Sequence, residues 1–336
     1  MKFPTYSSAY RWKHIVTRAP SVLLGAFILI GLAGCGDSAP VSNTLTLVAP
    51  AAPGGGWDQT ARVMAQVLRD TDLAATPQVT NVPGAGGVIG LARVVNRNAG
   101  DPNLLMVTGL IMMGAILTND SPVTLDAVTP IARLLGEYDL LVVPADSPHQ
   151  TLDDFVAAWK LDPGALAIAG GSAGGTDHML TGLLAREAGI DVNLINYLPH
   201  SGGGEALASL LGGHVAAGMN GYAELAPFIE ARQLRPLAIS SEERVRGVDI
   251  PTFREQGLDV AMANWRAVAA PPGITDGQRA DLVVLMDRMH ASDEWKTALA
   301  QNNWIDLYLT GVEYEEFLIQ EDARAVAVLE SIGLLN

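Results

Sequence analysis

Leu47-Val48-Ala49-Pro50-Ala51-Ala52-Pro53-Gly54-Gly55-Gly56-Trp57-Asp58 runs from a short apolar strand through a glycine-rich turn into a helix that opens at Asp58. The helix continues to Arg69. Ala61, Met64 and Leu68 recur along it at helical spacing, so one face packs against a sheet. Three consecutive glycines permit a sharp turn and remove the side chains that would keep a ligand away from the backbone amides. The first N–H groups of the helix have no intrahelical partner, and the helix dipole favours a negative charge beside them. On its own the stretch also fits an ordinary strand-to-helix connection with Asp58 as its cap.

Outward from this stretch the arrangement recurs. A strand at 78–82 leads into Pro83-Gly84-Ala85-Gly86-Gly87 and a helix at 88–96. A strand at 165–169 leads into Gly170-Gly171-Ser172-Ala173-Gly174-Gly175-Thr176 and a helix at 177–188, and Ser201-Gly202-Gly203-Gly204 opens a helix that reaches Leu211. Further strands are expected at 44–49, 103–108, 129–135, 139–144, 192–197, 214–219, 234–240 and 304–309. The apolar run 260–270 is long enough to pass from one lobe to another. Helices are expected at 152–159, capped by Thr151, and at 222–232, 275–290, 292–301 and 312–329. This alternation predicts an α/β fold: a parallel or mixed sheet with helices on both faces. Ligands of such sheets bind at the carboxyl ends of the strands, where the glycine turns collect. Two facing lobes with two turns apiece would make an anion-binding cleft.

The first residues read as a processing segment. Lys2, Arg11, Lys13 and Arg18 precede an apolar run at 21–34, and no acid occurs before Asp37. The run is short for a permanent membrane span. It ends Leu32-Ala33-Gly34-Cys35, which resembles the lipobox of bacterial lipoprotein signal peptides, cut before a cysteine that takes the lipid. Cys35 is the chain's one cysteine, so no internal disulfide forms. The expected organisation is a signal peptide at 1–34 and a polar tether at 35–43. Loss of 1–34 makes the formal charge of −15 four units more negative, which argues against nucleic-acid binding. A small anionic ligand remains compatible, because bulk charge is screened beyond about 8 Å at physiological salt and local donors decide.

Two enzymatic patterns need weighing. Gly84-Ala85-Gly86-Gly87-Val88-Ile89-Gly90 nearly matches a dinucleotide fingerprint, but its third glycine is one residue late and no ribose-binding acid follows at the right distance. Gly170-Gly171-Ser172-Ala173-Gly174 matches the nucleophile elbow of a serine hydrolase between a strand and a helix. Its histidine would have to be His290, which sits in an apolar-periodic helix, or His178, too close in sequence to reach back. His149, His200 and His214 have no partner at metal-ligand spacing, so no metal site is expected, and no cofactor.

Six segments, in order behind the lipobox, carry a resemblance over nearly the whole mature chain. They are Pro53–Asp58, Asn81–Gly87, Gly171–His178, Ser201–Ala206 with Leu211–Val215, Pro251–Gly257, and Asn264-Trp265-Arg266 with Ala270–Gly273. The chain resembles the substrate-binding proteins of the tripartite tricarboxylate transporter family. Tyr197-Leu198-Pro199-His200 departs from the family's usual proline–tyrosine order. The resemblance implies a two-lobed periplasmic-binding-protein (type II) fold with two strands crossing at the hinge. Lobe 1 would comprise 44–139 and 265–336, lobe 2 140–264. It implies a non-enzymatic, extracytoplasmic protein, lipid-anchored through Cys35, that captures a small carboxylate and passes it to integral membrane permease subunits.

The ligand would be gripped by backbone amides and waters at the turns, without an arginine clamp. Candidate binding residues on the first turn are Gly54, Gly55, Gly56, Trp57 and Asp58, and on the second Asn81, Gly84, Ala85 and Gly86. The third turn offers Gly171, Ser172, Gly174, Gly175, Thr176 and Asp177; Tyr197, Gly203, Asn220 and Trp265 complete the set. Asp58 and Asp177 are expected to cap or to hold waters, since ionised carboxylates cannot face a carboxylate. Valine at Gly55 or Gly86 is expected to block binding and spare the fold.

Overall fold

The computed structural model describes residues 44–335. The signal segment, Cys35 and the tether lie outside the described residues. No described helix is long and apolar enough to cross a membrane.

The chain begins β1 (Thr46–Ala49), α1 (Gly56–Asp70), β2 (Gln78–Asn81), α2 (Val88–Arg97), β3 (Leu104–Gly109) and α3 (Leu110–Thr118). β1 lies parallel between β2 and β3, so each connection crosses over through a helix. α1 turns Trp57, Ala61, Met64 and Leu68 into the core, the stripe its spacing predicts.

β4 (Thr129–Pro144) is one strand where the sequence suggests two. Gly136-Glu137 reads as a break, yet Gly136 is a strand residue whose missing Cβ lets Leu307 and Ile305 lie close. Residues 129–138 of β4 pair antiparallel with β9 (Ala263–Ala270), and Ala132–Gly136 also with β10 (Ile305–Thr310). From Asp139 the same strand pairs with β7 (Ala217–Gly221) and β8 (Leu234–Ile239). β4 thus belongs to both halves of a curled mixed sheet, ordered β2-β1-β3-β9-β4-β7 and then β5 (Ile168–Gly170) and β6 (Tyr197–Pro199). The second passage between halves runs through Met262, whose N–H donates to Ser240 O before the chain enters β9.

Helices α4 (Leu152–Leu161), α5 (Thr176–Glu187), α6 (Gly203–Leu211) and α7 (Tyr222–Glu230) cover the second half. Thr151 caps α4 in a reciprocal capping box with Asp154. The strand expected at 192–197 is a correction: Asp191 accepts from the Asn193 amide and closes a 3-10 turn at Val192–Leu194. Pairing begins only at Tyr197, on an edge strand where Pro199 is tolerated.

α8 (Asp276–Ala291), α9 (Asp293–Gln301) and α10 (Gly311–Ser331) return to the first half. α10 packs on α3 and β4, and its end reaches α5, where Gly182 leaves room for Ile332. One core runs through both halves, with a satellite beneath α6 and α7 around Leu140, Leu210 and Leu225.

Candidate functional site

The starts of α1, α2, α5 and α6 converge on one cavity of about 400 Å³ between the two sheet halves. Gly54, Gly55, Gly56 and Trp57 line it from the first turn; Gly84, Gly86 and Gly87 from the second. Gly171, Ser172 and Asp177 face them from the other half, with Gly203, Asn220 and Gly221 beside them. A more open groove of about 630 Å³ lies between Tyr138, the 242–246 loop and Trp304, away from the glycine turns.

Asp58 sits in the first turn of α1, after the cap position at Gly55. Its buried carboxylate accepts from Gly54 N at 2.8 Å, Arg62 Nε at 2.8 Å and Asn81 Nδ2 at 2.8 Å. Burial alone would raise its pKa, but the bonds from Arg62, Gly54 and Asn81 outweigh it and hold the group below the usual carboxylate range. Asn81 also donates to Ala51 O. Asp58 and Asn81 therefore fix the turn from behind and do not line the cavity.

The second turn takes φ values of +129° at Gly84, +48° at Ala85, +58° at Gly86 and +92° at Gly87. A Cβ at Gly86 would run into Ala115 on α3, and one at Gly87 into Trp57 and Met112. Gly86 is thus a packing requirement as well as a lining residue, so the expectation that valine there spares the fold fails. At Gly55, φ is −75° and a Cβ meets only Ala52 O at 3.4 Å and Ala51 Cβ at 3.7 Å.

On the opposite wall, Asp177 accepts from Gly171 N at 2.6 Å, and Tyr197 donates through its hydroxyl to Gly171 O. Tyr197 stacks on His178 at 4.1 Å behind the turn. His178 Nδ1 accepts from Gly174 N, and burial depresses its pKa to about 4, so the ring is neutral. Ala85, Gly174, Gly175, Thr176 and Tyr197 support the wall without lining it. Among the described residues no hydrogen bond joins Ser172 to a histidine, and His290 pairs instead with Asp306.

Several lining residues escaped the sequence reading, Arg266, Glu137, Glu224 and Asn264 among them. Arg266, on β9, is 2 % exposed and ion-paired with Glu137 of β4. Its Nη1 donates to Gly56 O and Thr60 Oγ1, each at 3.1 Å, which ties the start of α1 to both hinge strands. Burial lowers its pKa to about 9, leaving the guanidinium charged at neutral pH. Glu224, on α7, lines the cavity with its carboxyl beside Gly203; burial and the Asp177 charge push its pKa up to about 7. Asn264 lines the same wall. Trp265, one residue on, points the other way, edge-on to Phe317 and donating to Glu321, so the structure keeps it out of the cavity. Strand alternation is the signal that separates Trp265 from Asn264 and Arg266. An arginine inside an apolar run was the second clue, because buried charges are paired.

Deeper still, Asp139 is wholly buried with neither carboxyl oxygen hydrogen-bonded, beside Asp177. Burial and the neighbouring Asp177 and Glu224 push its pKa well above the ordinary carboxylate range.

The chain matches the family described as tripartite tricarboxylate transporter family receptor over residues 60–334. It belongs to that family. Protein BugT of Bordetella pertussis is 34% identical across 92% of this chain and 97% of its own. MatC of Rhodopseudomonas palustris, solved with bound malate, is 26% identical, covering 85% of this chain and 98% of its own at a TM-score of 0.75. The periplasmic binding protein BugD, 21% identical, superposes with a TM-score of 0.78 over 87% of this chain and 98% of its own, which establishes the fold. The receptor therefore has a two-lobed periplasmic-binding-protein fold, and its family consists of extracytoplasmic solute receptors, not enzymes.

Proposed function

We propose that the receptor captures a small carboxylate in the cavity between the sheet halves and delivers it to integral membrane permease subunits. The observation that carries this reading is the convergence of four glycine-flanked helix starts, from both halves, on one cavity. First-turn amides of α1 and α6 have no intrahelical partners, so they suit an oxyanion. The Trp57 indole N–H, buried and unpartnered, adds a side-chain donor. Malate in MatC supports the carboxylate class. The two lobes are 44–139 with 265–336 and 140–264, and closure about β4 and β9 would bring both sets of donors to the solute at once. The lipobox reading places the protein on the outer face of a membrane through Cys35.

A thermal-shift screen of the purified receptor against mono-, di- and tricarboxylates tests this. A carboxylate at 100 times its dissociation constant should stabilise the protein by about 2.7 kcal/mol. Turnover of an ester that Ser172→Ala abolishes, with no carboxylate producing a shift, would favour the hydrolase instead. For the anchor, Cys35→Ala should stop incorporation of labelled palmitate and release the protein from the membrane fraction. Unchanged membrane retention would contradict lipidation.

A further inference from the structure

The cavity's electrostatics sit badly with a multiply charged anion. Its lining holds the carboxyl groups of Glu137, Asp177, Glu205 and Glu224 against the single guanidinium of Arg266, which Glu137 already engages. Asp177 is bound to Gly171 N and Glu205 to Ser201 N, leaving Glu224 as the lining carboxyl that faces the cleft beside Gly203. Glu224 and Asn220 both crowd the position of a Cβ on Gly203, so this acceptor sits at the start of α6. A second observation is independent of these acids. Asn264 is 3 % exposed and lines the cavity, yet its Oδ1 has no hydrogen-bond partner. A buried, unpaired acceptor is costly unless a ligand supplies the donor. Malate, carrying two negative charges and no cation, offers only a hydroxyl to this wall.

We infer that the solute is a zwitterion, a carboxylate bearing a protonated amine, whose ammonium is read by Glu224 with Asn264 Oδ1 as a further acceptor. Its carboxylate faces the donors that remain: the Trp57 indole N–H, the Ser172 hydroxyl and the first amides of α6. A charge-assisted N⁺–H···O⁻ bond is roughly twice as strong as a neutral one. A site built around such acceptors rejects an analogue that lacks the donor, because they are then left unpaired. The inference rests on the solute-binding reading above and narrows it from carboxylates to amino-acid-like compounds.

Isothermal titration with matched pairs tests it: L-glutamate with glutarate, L-leucine with 4-methylpentanoate, L-phenylalanine with 3-phenylpropanoate. In at least one pair the amine-bearing member should bind at least about tenfold tighter than its deamino partner. Glu224→Gln is isosteric and removes only the charge. It should bring that ratio below about threefold, chiefly by weakening the amine-bearing member. Deamino compounds bound as tightly as their amine partners would overturn this inference alone. An amine preference that survives in Glu224→Gln would overturn the role given to Glu224. If no member of any pair binds while the carboxylate screen finds a ligand without an amine, this inference falls and the carboxylate reading stands.

Discussion

A carboxyl group enclosed by a protein is least comfortable when ionised, and Glu224 is in that position. Its folded pKa of about 7 lies above the ordinary 4.5, chiefly through burial and then through Asp177. The folded state therefore holds this proton more tightly than the unfolded chain. Glu224's contribution to stability is complete below about pH 4.5 and is lost as pH rises through 7. Asp177, raised to about 6, acts in the same direction. His178 opposes them: its depressed pKa of about 4 means stability is lost as pH falls from 6.5. Glu224→Gln removes the first term, so the ligand-free variant should outlast the wild type in calorimetry at pH 8 by about 1–3 kcal/mol. Near pH 5 the two should converge. A constant gap across that range would show that Glu224 ionises as a surface acid does. The glycines differ among themselves in the same residue-level way. Gly55→Ala should melt within about 1 kcal/mol of wild type. Gly86→Val should lose about 1–3 kcal/mol or more, since it meets Ala115 in a left-handed backbone. Equal melting temperatures for the two would show that α3 yields to the extra side chain.

Between elements, the Arg266–Glu137 pair joins β9 to β4, and the bonds from Arg266 to Gly56 and Thr60 add α1. The start of α1 is thus held by the strands about which the halves would close. Removing one member of a buried pair leaves the other charge uncompensated, at a cost of about 3–5 kcal/mol. Arg266→Met should show that loss in urea unfolding, and adding Glu137→Gln should recover most of it. A double variant no better than the single would mean that Arg266 stabilises through its contacts to α1 rather than through the charge pair. The glycine turns were legible in sequence because positive φ and close backbone approach are local demands, met within a few residues. The hinge pair was not, because its partners lie 129 residues apart and meet only through strand register. Gly136 misled for a related reason: in sequence it punctuates a strand, whereas in the fold it makes room for β10. Alternation along β9 could have assigned Asn264 and Arg266 to the cavity and Trp265 to the opposite face. Nothing local could have placed Glu224, which enters the lining from the first turn of α7.

Over the whole molecule, one long strand and one returning strand connect two sheet halves, and four helix starts face each other across the gap. α10 spans both halves, touching α3 on one side and α5 on the other. Ligand closure would have to move against that helix as well as about the strands. A crystal structure of the receptor with the tightest carboxylate from the screen tests the central claim most directly. The solute should lie between the halves, its carboxylate against Trp57 Nε1 and the first amides of α6, with any amine toward Glu224 and Asn264. Density for the solute in the groove beside Tyr138 and Trp304, with the glycine-lined cavity unchanged, would contradict it.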